Sequence, residues 1–178
     1  FKIESGTIMV FDSIEKVSKA IKYYEVENIF TGIKNNNLDL DQAVDKFDHM
    51  LFKTLEKTVV SDKPVAFFLS GGTDSSLLTS VYASASTKKV QTFTAGFNIK
   101  NFGISIDESE AAKKISDYLG TEHHAFIFNE NDLHEIVLDM PKIYSEPFGD
   151  SSGLVTHLLC KKIKAKFDVA IGGDGGDE

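Results

Sequence analysis

The chain has 178 residues, 42% hydrophobic and 26% charged, which is enough apolar material for a globular core and excludes a disordered or fibrous protein. The formal charge is −8, all 19 basic residues are Lys and none is Arg, so both the basic footprint and the bidentate forks of a nucleic-acid binder are missing. A single cysteine (Cys160), no run near the ~18 apolar residues of a membrane span and no secretory-type start point to a cytoplasmic protein with neither nucleic-acid nor membrane partners.

The opening segment carries a weak pattern. Alternation over residues 1–11 around Ser5-Gly6 predicts a short hairpin turning there, and Tyr23, Tyr24, Val26 and Ile29 form a second apolar segment. The Asn-rich stretch 32–37 reads as a linker. Leu40, Val44, Phe47, Leu51 and Leu55 then recur at steps of three and four, with Asp39 and Asp41 in the first turn, which predicts an amphipathic helix ending before Pro64.

From residue 65 onward, short apolar runs alternate with helical periods. Strands are predicted at 65–69, 90–95, 124–128 and 167–171, and helices at 74–85, 107–119, 133–140 and 151–164. This order predicts an α/β fold with a doubly wound, mostly parallel sheet, helices on both faces, and ligands beyond the carboxyl ends of the strands. The ends of the chain, a Phe and a Gly/Asp-rich loop, predict a piece of a longer protein.

Two glycine clusters sit at predicted strand ends. In Ser70-Gly71-Gly72-Thr73-Asp74-Ser75-Ser76, two glycines allow a sharp turn whose N–H groups, with the helix N-terminus and the Ser hydroxyls, form an anion site. A phosphate-binding P-loop would need a Lys where Asp74 stands. A carboxylate beside phosphates requires a cation, and Mg²⁺ binds through one or two carboxylates plus substrate phosphates, so Asp74 is its candidate ligand. The second cluster, Gly172-Gly173-Asp174-Gly175-Gly176-Asp177-Glu178, concentrates three acids among four glycines, and Asp74 and Asp177 could flank one Mg-triphosphate. The plainer alternatives are an ordinary N-capped strand-to-helix turn for the first cluster and a solvated tail for the second.

The Ser-Gly-Gly-Thr-Asp-Ser-Ser loop resembles the pyrophosphate-binding loop of the N-type ATP pyrophosphatases. Together with Phe93-Thr94-Ala95-Gly96-Phe97, Asp107-Glu108-Ser109-Glu110-Ala111, Glu146-Pro147-Phe148-Gly149-Asp150-Ser151-Ser152 and the closing acidic cluster, it resembles the synthetase domain of the glutamine-hydrolysing asparagine synthetases. The resemblance implies that residues 1–37 are the end of an N-terminal glutaminase domain and its linker, and that residues 38–178 are the first part of the ATP-dependent domain. It implies that Ser70, Gly71, Gly72, Asp74, Ser75 and Ser76 grip the pyrophosphate portion of ATP, and that Phe68, Leu69 and Ala95 lie at the adenosine site. Gly172 and Gly173 would contact the nucleotide, and Asp174 would act in forming an aspartyl-adenylate. Asp74 and Asp177 would hold Mg²⁺, while Asp150, Ser151 and Glu178 would meet the aspartate substrate.

Two departures stand out: Gly172 replaces a usual Ser, and Thr73 a usual aliphatic residue. The implied activity is amidation of aspartate with ATP and glutamine-derived ammonia, in a possible homodimer. The fragment alone would not complete that reaction. The alternatives are the same chemistry on another carboxylate, or a non-catalytic ATP-binding module. Among lesser signals, Ser105 and Glu108 have the spacing of a capping box, and one of His123 and His124 is expected to be buried.

Overall fold

In a computed structural model the described residues are 2–14, 16–32, 38–98, 107–144 and 147–176. The chain divides into two compact units, Phe1–Asp45 and Lys46–Glu178.

The first unit opens with a hairpin of β1 (Thr7–Asp12) and β2 (Val17–Lys22), paired antiparallel with Thr7 opposite Lys22 and Asp12 opposite Val17. A hairpin is present as expected, but its turn lies between Asp12 and Val17, where the Asp12 carboxylate accepts the Ile14 N–H at 2.8 Å. The Ser5-Gly6 signal serves a different bend: Gly6, at φ 69°, offers its carbonyl to the N–H groups of Tyr23 and Tyr24. Helix α1 (Val26–Gly32) follows, where the sequence suggested only an apolar segment. The linker at 33–37 lies outside the described residues.

Helix α2 (Leu40–Thr58) matches its predicted period, and the Asp39 carboxylate caps it by accepting from Gln42 N–H at 2.8 Å. Of its apolar stripe Leu55 is buried, whereas Leu40, Val44 and Phe47 are exposed.

The second unit is built on four parallel strands, β3 (Val65–Phe68), β4 (Gln91–Phe97), β5 (Glu122–Phe128) and β6 (Val169–Ile171), in spatial order β5-β4-β3-β6. Between them run α3 (Thr73–Ala85), α4 (Ser109–Leu119), α5 (Glu130–Ile143) and α6 (Ser152–Ile163). Each predicted strand and helix is found, with no end shifted by more than three residues. The doubly wound parallel α/β architecture is thus as the alternation predicts.

Period-two alternation assigns the two faces. Ala66, Phe68, Phe93, Phe126 and Phe128 point to the side packed by α5 and α6, where Ile136, Leu158, Leu159 and Ile163 close the core. On the other side Phe67 stacks on Tyr82 of α3 with ring centroids 4.7 Å apart. There Thr92, fully buried, joins the hydroxyls of Thr121 and Ser116 in a chain of 3.1 and 2.7 Å contacts beside α4. Burying hydroxyls is tolerable because they satisfy one another. Helix α5 begins with a full capping box between Asn129 and Asp132.

The strand order decides where a ligand can sit. The chain steps from β3 to β4 to β5 in one direction, then returns past β3 to place β6 on its other side. The connections therefore diverge at the carboxyl ends of β3 and β6, which is the crevice where open α/β sheets bind ligands.

Candidate functional site

The loop after β3 and the loop after β6 meet at this switch point. Phe67 of β3 pairs with Ile171 of β6, so both chains leave the sheet side by side. Gly71 turns the first loop at φ 87°, a conformation that L side chains rarely adopt, and its back lies against α4: an added Cβ would fall 2.8 Å from the Ala111 Cβ. Gly172 and Gly173 bring the second loop over the start of α3. A Cβ on Gly173 would stand 2.7 Å from the Ser75 nitrogen, and one on Gly176 would stand 3.0 Å from the Asp74 carboxyl carbon.

The serines brace the first loop from inside. Ser75, buried at 7% exposure, accepts the Ser70 N–H at 3.2 Å and lies 3.0 Å from the Ser70 hydroxyl, which accepts from Gly72 N–H. The Ser76 hydroxyl donates to the Gly72 carbonyl at 2.5 Å. Gly72 itself, the N-cap of α3, has no side chain to cap the helix, so the positive end of α3 is closed by no side-chain group. The hydroxyls expected to act as donors are thus engaged in holding the backbone, and the helix start is the open anion-attracting element.

Two adjoining cavities lie here. The larger, about 340 Å³, is lined by Ser70, Gly72, Asp74 and Ser75 from the first loop, by Gly172, Gly173 and Asp174 from the second, and by Phe68. The smaller, about 200 Å³, is lined by Phe68, Leu69, Ser70, Phe93, Ala95 and Phe97, with Thr94 and Glu108. Val155 and Leu159 of α6 line both. Of the residues singled out in the sequence, Phe68, Ser70, Gly72, Asp74, Ser75, Gly172, Gly173 and Asp174 converge on the larger cavity, and Leu69 and Ala95 on the smaller. Gly71 and Ser76 support the loop without lining it. Asp177 and Glu178 lie outside the described residues.

Asp150 and Ser151 precede α6 and line neither cavity. The Asp150 carboxylate accepts the Ser152 N–H at 2.8 Å, and hydrogen bonds from the Ser152 backbone and then its side chain hold Asp150 below the usual carboxylate range. Sequence reasoning gave no site role to Thr73 or Thr156, which line the larger cavity together with Ser152 of the Glu146–Ser152 motif. Ser152 and Thr156 are one helical turn apart, a spacing that would have found them once the start of α6 was known.

The Asp74 carboxylate, under the Gly176 backbone and lining the cavity, is the kind of donor that suits a hard cation completing its shell with phosphate oxygens, while Asp177, the other expected ligand, lies outside the described residues. Among the described residues there is no group of three or more His, Cys, Asp or Glu that could hold a metal without such a ligand. No helix among them is long and apolar enough to cross a membrane.

Comparison with known proteins gives a consistent assignment. The family model described as asparagine synthase matches residues 46–178. A Methanocaldococcus jannaschii protein, provisionally named the second glutamine-hydrolysing asparagine synthetase of that organism, is 32% identical over all of this chain and 33% of its own length. The glutamine-hydrolysing asparagine synthetase of Mus musculus is 27% identical over 88% of this chain and 28% of its own length. The first such enzyme of Bacillus subtilis is 30% identical over 78% of the chain and 21% of its length. The chain therefore spans a third or less of these relatives. Among solved structures, an NH3-dependent NAD synthetase from Campylobacter jejuni aligns with a TM-score of 0.46 at 21% identity, over 73% of this chain and 56% of that one.

Proposed function

Because this chain belongs to the asparagine synthase family, we propose that it is the ATP-using portion of a glutamine-hydrolysing asparagine synthetase, which amidates aspartate. In this reading residues 1–37 are the end of the glutaminase domain and its linker, and residues 38–178 begin the synthetase domain. The observation that carries it is the meeting of two Gly/acid loops at the switch point of a parallel sheet, on one cavity that holds Asp74, Asp174 and an uncapped helix N-terminus.

The chemistry follows from that arrangement. The start of α3 attracts the triphosphate, while the Ser70 and Gly72 N–H groups are taken up by the Ser75 and Ser70 hydroxyls, which brace the loop in shape so that little reorganisation opposes binding. With no Arg in the chain, backbone donors and Lys must neutralise the phosphates, together with the cation. Asp74, with Asp177, would hold Mg²⁺, which supplies charge neutralisation of the departing pyrophosphate. The smaller apolar cavity receives the adenosine.

The aspartate side-chain carboxylate then attacks the α-phosphorus, forming a C–O–P linkage as pyrophosphate leaves. Ammonia from glutamine attacks the acyl carbon and AMP departs with the bonding pair, giving asparagine. Asp174 faces the reacting centre, and Asp150, Ser151 and Glu178 are assigned to the amino-acid side. Much of the acceleration comes from holding the carboxylate in line with the phosphorus.

The test is exchange of labelled pyrophosphate into ATP by the intact gene product. Exchange that requires aspartate is the expected result. Exchange only with a different carboxylic acid would keep the mechanism and replace the substrate, and ATP binding without exchange for any acid would refute the reading as a synthetase.

A further inference from the structure

Two neighbouring acids at the start of α4 have different duties. The Asp107 carboxylate accepts the Ser109 N–H at 3.0 Å, which is the capping bond of the helix. Glu108, the N-cap by position, makes no side-chain cap bond, and its carboxylate has no hydrogen bond or ion pair among the described residues. Its main chain is nevertheless fixed, because its carbonyl accepts from Ala112 N–H at 2.9 Å. Among the described residues Glu108 is also the only ionisable one lining the smaller cavity, whose other walls are mainly aromatic and aliphatic. Glu108 is exposed, and an acid at this position suits the start of α4, so the fold leaves its carboxylate able to accept from a ligand in the adjoining apolar slot.

We propose that Glu108 is the base-selecting residue of the site, its carboxylate accepting a hydrogen bond from the exocyclic amine of a 6-aminopurine held in the smaller cavity. This rests on the nucleotide reading above. An ionised carboxylate can only accept, so its partner must present N–H or O–H, and the apolar walls require that donor to sit on a flat hydrophobic body.

The layout of the sheet orients the molecule. The larger cavity, with its anion-attracting loop, lies over β3 and β6, the smaller one over β3 and β4, and Glu108 comes from the connection that follows β4. Phosphates at one end therefore put the base at the other, toward Glu108. The same carboxylate gains nothing from a purine that carries hydrogen at the 6-position and no other N–H on that edge.

Calorimetric titration of the full chain in Mg²⁺ with ATP and with purine riboside 5′-triphosphate, which carries hydrogen at the 6-position, tests this. Wild type should bind ATP about tenfold more tightly, the scale of one hydrogen bond to a charged group. Glu108→Ala should bring the two affinities together by weakening ATP alone, while Glu108→Gln, whose amide oxygen still accepts, should keep part of the preference and shows that the site folds. Equal affinities in wild type, or an undiminished preference in Glu108→Ala, would overturn the proposal while tripolyphosphate still displaced ATP. If tripolyphosphate failed to displace ATP, or ATP failed to bind, the nucleotide reading would fall as well.

Discussion

Replacing Gly173 with Ala should disturb the site from its backbone outward. The new Cβ would stand 2.7 Å from the Ser75 nitrogen and 3.1 Å from both the carbonyl carbon and Cβ of Asp74, about 0.7 Å short of ordinary contact at the closest point. The obstructing atoms are mostly backbone at the start of α3, which cannot swing aside, so the loop after β6 must lift. Overpacking of this kind costs about 1–3 kcal/mol, equivalent to roughly 3–9 °C in melting temperature. A loop displaced by a sizeable fraction of an ångström also misplaces Asp174, so pyrophosphate exchange should fall by roughly 10- to 100-fold in kcat/KM.

Gly172→Ala is the matched control. Its Cβ would meet only the far end of the Asp174 side chain, at 3.1 Å, with Phe68 at 4.0 Å. Melting temperature should therefore stay close to wild type in that variant. Thermal unfolding by circular dichroism and ATP titration on both variants give the comparison. Equal behaviour of Gly173→Ala and wild type would refute the close packing of the two loops.

Asp74→Asn should weaken Mg-ATP at least tenfold in titration, while the loss of one favourable charge at a helix N-terminus lowers stability by only about 0.3–1 kcal/mol; unchanged affinity would remove Asp74 from the cation site. Phe67→Ala should cost about 3–5 kcal/mol by urea denaturation, because the ring is 1% exposed and stacked on Tyr82, and a smaller loss would mean that α3 collapses into the space. His123 is held below its usual pKa of 6.5, first by burial and then by Lys113 and His124, and its Nε2 is buried without a partner. The unfolded chain therefore takes up a proton that the folded chain resists, so this contribution to stability is present above pH 6.5 and is lost as the pH falls from there through the lowered folded value. His123→Gln should flatten the urea midpoint between pH 7 and 5 relative to wild type; an identical slope would show that His123 is not the group titrating.

The strands and helices of the second unit were legible because two independent signals coincide in them. Residues 65–69 are an apolar run bounded by Pro64 and by glycines, and the helices that follow carry a three-to-four spacing, so period and punctuation agree. The positions of Ser70–Ser76 and Gly172–Asp174 at strand ends followed directly from that. In the first unit the signals disagree. Gly6 has the dihedral of a turn residue yet serves a bend outside the hairpin, whereas the hairpin turn near Asp12 contains no glycine that would have marked it.

What alternation and motif could not supply is phase. Asp150, Ser151 and Ser152 are adjacent in sequence and share polar, cap-forming chemistry, so which of them faces a ligand depends on the residue at which α6 begins. Each residue of shift rotates a side chain by about 100° around the helix axis. With Ser152 as the first helical residue, Asp150 is left as the acceptor for its N–H, and Ser152 turns with Thr156 to the cavity. The same ambiguity separates Asp107 from Glu108, one of which caps α4 while the other is left free beside the smaller cavity. In both places the acid that satisfies the helix and the group that reaches the cavity are neighbours, and the competition for orphan N–H groups at a helix start decides between them.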